Sequence, residues 1–413
     1  MMAKWKECAL GDLGVIVGGA TPSTKKPEHY NGGTVPWLTP KDLSGFPYRR
    51  IGRGERNITK QGLNSCSTRL LPEGSVLFTS RAPIGYVAIA ENALCTNQGF
   101  KSVIPNADTD SLFLYYLLKF NKDEIERLGS GTTFKEVSGT VMRAVRVKVP
   151  EDIRVQKRIS SLLGALDDKI ELNTRMNDNL RQQTQAVFQE WFIENPDSLT
   201  WPLGTFSELI DGIISGDWGK DAPQGNNSEM AYCIRGADIP EVQAGNQGKM
   251  PIRYILPKNY AVKRLVDGDI VVEISGGSPT QSTGRVAAIS TFLLNRYDKG
   301  MVCTNFCKAV KPLRGYSMFV YHYWQYLYDR KIFFSYENGT TGIKNLDLSG
   351  FLTMEPVRIA PLALALRFDS FCKSLSAQVY ANGLENEYLA SIRDALLPRL
   401  MSGELDVSEA PLA

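Results

Sequence analysis

The chain has 413 residues, of which 43% are hydrophobic and 22% charged, a composition typical of soluble globular proteins. A chain of this length exceeds what one hydrophobic core usually accommodates and indicates two or three domains. No apolar run reaches the roughly 18 to 20 residues that a bilayer-spanning helix requires, and the N-terminus lacks the apolar segment of a signal peptide. These features predict a cytoplasmic protein.

Net charge and cysteine content are compatible with several classes of protein. The formal net charge is only +3, but residues 1–150 carry 20 Lys and Arg against 13 Asp and Glu. Such an excess is compatible with a polyanionic partner, and equally with an ordinary solvated surface. The seven cysteines are scattered. The one close pair, Cys303 and Cys307, has no second pair or histidine cluster to complete a zinc site, which favours reduced structural cysteines.

Taken in chain order, the predicted elements occur twice. Each half begins at a tryptophan, continues through short strands and polar loops, contains an aromatic-rich helix and a Gly-Thr-Thr turn, and closes with a strand before a proline. The matched segments are Trp5 and Trp201, 35–43 and 231–239, 74–78 and 268–272, 79–85 and 274–284, Cys95-Thr96-Asn97 and Cys303-Thr304-Asn305, 111–118 and 316–328, 131–135 and 339–344, and Pro150 and Pro361.

A long helix is predicted after each closing strand. In the run 155–192 the apolar residues recur in steps of three and four, the spacing that places one stripe on one side of a helix and requires a partner helix. A second run with the same stripe lies 209 residues further on. A helix of about 40 residues is roughly 60 Å long, too long to be buried in one globule. The two helices are therefore predicted to pack against each other.

Asparagines interrupt both stripes at corresponding positions. Asn173 and Asn177 occupy core positions of the first run, and a shift of 209 residues places Asn382 and Asn386 in the second. Antiparallel pairing avoids a return connection along the helix and brings Asn173 near Asn386 and Asn177 near Asn382. A buried polar layer of this kind specifies register at some cost in stability. The alternative is that these asparagines face solvent.

The predicted fold class is mixed α/β (α+β), with two similar globular domains separated by two long helices that form an antiparallel coiled coil, and an internal pseudo-twofold repeat. The predicted boundaries are 1–150 for the first globular domain, 151–195 for the first helix, 196–360 for the second globular domain, 361–402 for the second helix and 403–413 for a flexible tail. The repeat supports this division, because each half ends in its own helix.

A search for catalytic groups finds none. The only histidines are His29 and His322, so histidine-based triads and metal sites are difficult to build. There is no Walker phosphate loop, no G-x-G-x-x-G after a strand, and no Asn/Asp-Pro-Pro-aromatic tetrapeptide of the kind that holds a flipped adenine. The sequence therefore predicts a binding protein without catalytic, cofactor-binding or metal-binding residues of its own.

The order and repetition of these segments are similar to those of the specificity subunits of type I restriction–modification enzymes. The resemblance covers essentially the whole chain and is carried by the tryptophan starts, the segments 35–43 and 231–239, the Gly-Thr-Thr turns and the strand–proline–helix closures. Val155-Gln156-Lys157-Arg158-Ile159 is similar to the family's usual helix opening. The second helix, at 362–368, departs from this opening.

The resemblance implies two target recognition domains, each of which binds one half of an asymmetric, gapped site in double-stranded DNA. It also implies that the helices space the two halves and bind two methyltransferase (modification) subunits, which carry S-adenosylmethionine. Whether restriction–translocation subunits that use ATP also join is left open. This chain would itself hold no cofactor.

DNA contacts require Arg, Lys, Asn or Gln side chains that reach base edges, and Lys, Arg, Ser, Thr or backbone amides at phosphates. We expect them on the polar loops, with Arg81 and Gln281 as the strongest candidates for base contact. In the first domain the candidates are Thr39, Lys41, Arg49, Arg50, Arg53, Arg56, Ser80, Arg81, Thr132, Thr133 and Lys135. In the second they are Trp218, Lys220, Arg235, Ser275, Ser278, Thr280, Gln281, Thr340, Thr341 and Lys344.

Two other functions remain open at this point. A duplicated-domain methyltransferase or nuclease would modify or cleave DNA alone when its cofactor is supplied. A tandem scaffold for proteins or glycans would show no salt-sensitive affinity for DNA. The experiments that separate these alternatives are therefore DNA binding and the mapping of DNA methylation.

Overall fold

The computed structural model describes residues 3–131, 135–278, 280–339 and 343–409. The chain forms two compact units. The first unit comprises Met1–Glu171 and Tyr388–Ala413, and the second comprises Leu172–Glu387. Each unit therefore combines one copy of the sequence repeat with part of both long helices.

In the first unit, β2, β9, β6, β7 and β4 form one sheet in that order, and β5, β3 and β8 form another; β1 pairs with β10. The strands are β1 Trp5–Ala9, β2 Gly14–Gly18, β3 Val35–Leu38, β4 Arg50–Ile51, β5 Arg56–Ile58, β6 Val76–Ser80, β7 Ile84–Ala90, β8 Cys95–Thr96, β9 Lys101–Pro105 and β10 Arg146–Pro150. The helices are α1 Lys60–Asn64, α2 Ser111–Phe120, α3 Lys122–Arg127, α4 Gly139–Ala144 and the first part of α5 Ile153–Phe188.

The second unit repeats this plan with extra short elements. The sheet orders are β12-β19-β15-β17, β14-β13-β18 and β16-β21-β20, and β11 pairs with β22. The strands are β11 Leu203–Thr205, β12 Ile210–Ser215, β13 Glu229–Ile234, β14 Ile252–Ile255, β15 Ile270–Glu273, β16 Ser275–Gly276, β17 Val286–Ala288, β18 Met301–Cys303, β19 Cys307–Pro312, β20 Glu337–Asn338, β21 Lys344–Leu346 and β22 Pro356–Arg358. The helices are α6 Ile239–Gln243, α7 Pro257–Lys263, α8 Thr291–Leu294, α9 Ser317–Asp329, α10 Leu348–Met354 and α11 Leu362–Ser402.

The aromatic-rich helices α2 and α9 lie in the cores of their units. Asp110 caps α2 by accepting a hydrogen bond from Phe113 N over 2.8 Å. Six consecutive residues of α2 are buried, and so are Phe319 and Trp324 of α9. Core packing therefore accounts for these aromatic side chains, and they are not available as a platform for base stacking. Among the described residues, no helix has the length and apolar character needed to cross a bilayer.

The asparagine layer between α5 and α11 confirms the predicted antiparallel register. Asn173 Nδ2 donates to Asn386 Oδ1 over 3.0 Å, and Asn382 Nδ2 donates to Asn177 Oδ1 over 2.8 Å. Asn173, Asn177 and Asn382 are buried. Each amide thus meets an amide of the opposite helix, the arrangement that fixes register in a helix pair. All four residues belong to the second unit.

Candidate nucleic-acid interface

The first unit has a sharp turn between β8 and β9 at residues 97–99, which we call the first tip loop. Asn97 N donates to the last carbonyl of β3 over 2.8 Å, and Ser80 N donates to Gly99 O over 2.7 Å. Within the loop, Gly99 N donates to Asn97 Oδ1 over 2.8 Å. Gln98 lies at the tip with its side chain exposed. The fold therefore presents one amide side chain on a fixed backbone.

The second unit has the same turn between β18 and β19, at residues 304–306, the second tip loop. Thr304 N donates to the last carbonyl of β13 over 3.0 Å, and Ile274 N donates to Phe306 O over 3.0 Å. Phe306 N donates to Thr304 Oγ1 over 3.2 Å. Asn305 and Phe306 are exposed. This loop therefore presents an amide and an aromatic ring side by side.

The strand registers show which residues of the two tip loops correspond. Thr96 pairs with the last residue of β3, and Cys303 pairs with the last residue of β13, so Thr96 corresponds to Cys303. The sequence repeat, which matched Cys95 with Cys303, is off by one position. The equivalent pairs are Asn97 and Thr304, Gln98 and Asn305, and Gly99 and Phe306.

A glycine packs against each tip loop from the N-terminal strand of its sheet. A Cβ atom on Gly19 would lie 2.1 Å from Thr96 O, and one on Gly216 would lie 1.8 Å from Thr304 O. Real side chains do not approach backbone oxygens so closely, so only glycine allows the two segments to pack together here. The glycine-rich segments that begin each half of the sequence therefore support the tip loops.

Cationic and polar groups surround the first tip loop. Asp42 caps the turn after β3 by accepting hydrogen bonds from Thr39 N over 2.6 Å and Thr39 Oγ1 over 2.8 Å. Exposed Lys41 forms an ion pair of 2.9 Å with Glu55. Gly99 lies against the same turn, because its Cβ would be 2.7 Å from Pro40 Cγ. The turn at 39–42 and the first tip loop therefore form one continuous surface.

A second cationic group lies at the end of β6. Arg81 Nη1 is 3.5 Å from Glu136 Oε2, and Lys101 Nζ is 3.2 Å from Glu136 Oε1. Lys101 Nζ also donates to Ser80 Oγ over 3.4 Å. The side chain of Arg81 is 34% exposed. One carboxylate therefore orients two cations, and Arg81 can exchange this long ion pair for a contact with an incoming anion.

The second tip loop borders a groove of about 600 Å³. Trp218 is half-exposed at its edge, with the Arg253 guanidinium 3.8 Å above the ring. Arg253 in turn forms an ion pair with Asp221. The residues that line the groove are Trp218, Arg235, Gly236, Ala237, Glu273, Ser275, Gly276, Thr304, Asn305, Phe306 and Ile343. Three predicted DNA-binding residues, Trp218, Arg235 and Ser275, are thus brought together.

Two ion pairs form the base of this groove. Arg235 Nε is 2.9 Å from Asp238 Oδ2, and Arg285 Nη2 is 2.6 Å from Glu273 Oε1. Burial works against the charge of Asp238, but hydrogen bonds from Arg235 keep the pKa of this carboxyl below its usual range. Both guanidinium groups are paired and position the groove, but the Arg235 side chain remains 37% exposed and accessible beside Asn305 and Phe306.

The structure places the predicted DNA-binding residues in different environments. Exposed are Lys41, Arg50, Arg53, Arg56, Lys135, Trp218, Lys220, Thr280 and Gln281. Partly buried are Thr39, Arg81, Arg235, Ser275, Ser278 and Lys344, and buried are Arg49 and Ser80. Thr132, Thr133, Thr340 and Thr341 lie outside the described residues.

Arg49 is buried within the first unit and forms ion pairs there. Its side chain is 10% exposed, and Nε is 2.8 Å from Glu171 Oε1. Burial opposes the charge, but the hydrogen bonds to Glu171 and Asp168 raise the pKa of Arg49 above its usual value. Ser80 is fully buried and donates through Oγ to Gly99 O over 3.3 Å. We therefore assign both residues to the support of the surface and omit them from the DNA contacts proposed below.

Sequence reasoning missed Gln98, Lys101, Asn305, Phe306 and Arg253. The recurrence of Cys-Thr-Asn marks both loops in the sequence but does not show which residue lies at the tip. The available signal is a polar residue in a short turn between two buried strands, since such a turn is exposed. Arg253 could not be found this way, because its contact with Trp218 joins segments 35 residues apart.

Among the described residues, no group of three or more His, Cys, Asp or Glu side chains could hold a metal ion. The clustered cysteines of the second unit are buried free thiols. Burial raises the pKa of the Cys233 and Cys307 thiols to about 12. Thiols of this kind remain protonated at neutral pH and are poor nucleophiles.

Comparisons with known proteins agree with this geometry. Residues 2–182 match the family model described as the type I restriction modification DNA specificity domain. The type I restriction enzyme MjaIX specificity subunit of Methanocaldococcus jannaschii is 33% identical over 429 residues, which cover 98% of this chain and 94% of that protein.

Two further similarities are more distant. The EcoR124I/EcoR124II specificity subunit of Escherichia coli is 28% identical over 171 residues, 40% of this chain and 41% of that protein. The crystal structure of a type I restriction–modification S subunit from M. genitalium aligns with a TM-score of 0.54 at 16% identity, and covers 97% of this chain and 96% of that one. At this identity the structural similarity supports the fold.

Proposed function

The chain belongs to the specificity subunits of type I restriction–modification enzymes, and we propose that it recognises a bipartite, gapped DNA sequence whose two halves are read by its two units. Members of this family are non-catalytic DNA recognition subunits. Recognition of the DNA target is therefore the activity to be explained, and the division of that target between two units is the proposal.

The observation that carries the proposal is the repeated tip loop. Each unit holds an exposed amide, Gln98 or Asn305, on a loop with the same backbone hydrogen bonds. The surrounding side chains differ between the units, with Arg81 and Lys101 in the first and Trp218 in the second. Two similar frameworks with different exposed groups favour the recognition of two different short sequences.

The proposed DNA contacts are the predicted residues that the structure leaves accessible. Long cationic side chains provide phosphate contacts, and polar or aromatic groups beside the tip loops contact bases. In the first unit they are Thr39, Lys41, Arg50, Arg53, Arg56, Arg81 and Lys135, and in the second Trp218, Lys220, Arg235, Ser275, Ser278, Thr280, Gln281 and Lys344. Thr132, Thr133, Thr340 and Thr341 stay predictions from the sequence.

The proposed partners are two methyltransferase subunits, with restriction–translocation subunits as a further set. S-adenosylmethionine and ATP would bind to those partners, in keeping with the absence of a catalytic constellation from the sequence. The proposed location is the cytoplasm. We propose also that the length of the helices α5 and α11 sets the number of base pairs between the half-sites.

The decisive experiment maps methylated adenines across the genome of a host that expresses this chain with its methyltransferase partner. We expect methylation at one bipartite sequence, loss of that methylation when this chain is deleted, and recovery when it is restored. Methylation that persists without the chain would contradict the proposal. Methylation or cleavage by the purified chain alone would support the duplicated-enzyme alternative instead.

Two altered chains test in the same assay whether each unit recognises its own half-site and whether the helices set the gap. Replacement of residues 1–150 by the corresponding domain of another specificity subunit should change one half-site and leave the other unchanged. Insertion of matched heptads into α5 and α11, away from the asparagine layer, should alter the gap and preserve both half-sites. A change in both half-sites after the first exchange would contradict independent recognition by the two units.

A further inference from the structure

We infer that the tip loops are the base-reading elements of both units, in which Gln98 and Asn305 bind the major-groove edge of an adenine and Phe306 contacts the methyl group of a thymine. The inference rests on the proposed function and adds to it the identity of one base in each half-site. The argument depends on the equivalence of the two loops, on their rigidity and on the chemistry of their exposed side chains.

The two loops are equivalent by their backbone contacts. In each, the first residue accepts a hydrogen bond through its side-chain oxygen from the third residue's N–H, at 2.8 Å from Asn97 and 3.2 Å from Thr304. In each, the carbonyl of the third residue accepts a backbone hydrogen bond. The donor is Ser80 N, at the end of β6, for Gly99 and Ile274 N, directly after β15, for Phe306. A side chain at the middle position therefore projects from the same place in both frameworks, and that place is occupied by an amide in both.

Carboxamide side chains match the adenine edge. The amide oxygen accepts a hydrogen bond from adenine N6 while the amide nitrogen donates to N7, so Asn and Gln recognise adenine through two hydrogen bonds. Thr21 Oγ1 donates to Gln98 Oε1 and orients that side chain. No hydrogen bond involves the Asn305 side chain among the described residues, so its donors and acceptor are available to a ligand.

The third residue of the tip loop differs between the two units. Phe306 is 60% exposed although its backbone is fixed at both N–H and C=O. Its equivalent, Gly99, could not carry a side chain without a shift, because the Cβ would be 2.7 Å from Pro40 Cγ. An exposed, rigidly positioned ring beside a base-reading amide suits the thymine methyl, the apolar group that the major groove displays.

Cationic side chains border the apolar groove that holds Phe306. Exposed Lys220 lies in the segment that leads to the groove, and Arg253 covers Trp218 at its edge. Ile343, which is 65% exposed, is the large aliphatic side chain of the lining. The groove surface itself is mainly apolar, with cationic side chains at its border. Such a surface can contact a thymine methyl group while the bordering cations contact phosphates.

The test uses the full chain in complex with its methyltransferase partner and duplexes that carry the mapped target sequence. Each adenine is replaced in turn by 7-deazaadenine, which removes N7, and each thymine by uracil, which removes the methyl group. One adenine in each half-site should show a loss of affinity of roughly tenfold, within the range known for a bidentate base contact. One thymine of the second half-site should show a loss of about fourfold, the effect of one buried methyl group.

The variants assign these losses to residues. Gln98→Ala should abolish the response to 7-deazaadenine in the first half-site and retain it in the second, and Asn305→Ala should do the reverse. Phe306→Ala should make thymine and uracil equivalent at the responsive position. Phe292→Ala is the matched control, because this phenylalanine is 39% exposed in the same unit but lies outside the groove. It should respond to both analogues as the unaltered chain does.

The outcomes separate this inference from the proposed function. Binding of the mapped duplex without any response to the analogues would overturn the inference and leave the proposed function intact. Responses that persist in the three variants, or a half-site without adenine, would also overturn it. If the complex does not bind the mapped duplex even at low salt, the proposed function fails and the inference fails with it.

Discussion

The two units contact the long helices through partly different chemistry. In the first unit, Arg49 reaches from the loop before β4 to α5, where it contacts Glu171, Asp168 and the carbonyl of Gly164. In the second unit, Arg296 forms a comparable ion pair with Glu387 of α11, and the backbones also approach each other closely. A Cβ on Gly383 of α11 would lie 2.0 Å from Gly245 O, and Asn177 Nδ2 donates to Ala244 O over 3.0 Å.

A second difference concerns the cores beside these contacts. In the first unit, Asp167 of α5 accepts hydrogen bonds from Tyr116 over 2.6 Å and from Arg393 of α11 over 2.6 Å. In the second, rings pack together. Phe188 stacks at 6.0 Å against His322, and Phe192 contacts Phe368 at 5.1 Å. Both units therefore use an arginine–glutamate pair, and the second adds close backbone approach and aromatic packing.

The comparison shows that a repeated helix stripe does not impose a repeated attachment. The stripe requires only apolar residues where α5 and α11 pack against each other. The loops of each unit contact the outer surface of the helices. Charged and glycine-mediated contacts respond to substitution in different ways, which makes the difference testable.

The largest effect is expected from Arg49→Ala. Its removal leaves the carboxylate of Glu171, whose side chain is only 15% exposed, without its cation, which costs about 3 kcal/mol in comparable buried pairs. Hydrogen exchange of the first unit should accelerate accordingly, while exchange of the second unit should not change. The neighbouring exposed Arg50→Ala is the control and should stay within about 0.5 kcal/mol. Equal effects of the two substitutions would show that Arg49 does not attach the sheet to α5.

Gly383→Ala should have the next largest effect, about 2 kcal/mol of destabilisation of the second unit, because the added methyl group meets backbone atoms that cannot rotate away. Gly164→Ala is the matched control on α5. There the Cβ would meet side-chain atoms, Leu112 Cδ2 at 3.0 Å and Arg49 Nη1 at 3.3 Å, which can adjust.

Alanine also favours a helix over glycine by up to about 1 kcal/mol, so Gly164→Ala should be close to neutral or stabilising. Urea denaturation and hydrogen exchange of each variant measure the difference. A destabilisation by Gly164→Ala as large as that by Gly383→Ala would contradict the distinction between side-chain and backbone contacts.

The third prediction concerns pH and the second unit. Burial lowers the pKa of His322 to about 3, and Nδ1 donates to Gln185 Oε1 at 3.1 Å. The unfolded chain binds a proton near pH 6.5 and the folded chain does not, so stability is lost as the pH falls from about 6.5 toward 3, at about 1.4 kcal/mol per pH unit.

The variant His322→Phe removes this titration and preserves ring packing against Phe188. Between pH 7.5 and 5.5 the free energy of unfolding should therefore fall by about 1.4 kcal/mol more in the unaltered chain than in the variant, since the unfolded chain takes up most of one proton at His322 over this range. An identical slope in both proteins would refute the assignment, whatever the absolute stability of the variant.

The smallest effect on stability is expected from Arg53→Ala, because Arg53 is exposed and surface substitutions usually change stability by less than about 0.5 kcal/mol. Its effect should appear in DNA binding. Loss of one phosphate contact should reduce the slope of log affinity against log salt by about 1 and weaken binding similarly for all sequences. A change confined to one target sequence would instead indicate that Arg53 contacts a base.

The twofold repeat, the two long helices, their antiparallel register and the family could all be predicted from the sequence. These follow from local or periodic signals, since a stripe with steps of three and four specifies a helix wherever it occurs, and the matched asparagines allow only one polar layer. The same signals indicated that polar loops between buried strands form the candidate site.

The side chains that those loops expose could not be predicted in this way and are seen in the folded chain. Arg49 had the residue type expected of a DNA contact, but Glu171, 122 positions away, buries and pairs it. Gln98, Asn305 and Phe306 became visible only when strand pairing corrected the repeat by one residue. The physical reason is that burial and hydrogen bonding depend on neighbours distant in sequence, whereas helix and strand periodicity depends on neighbours close in sequence.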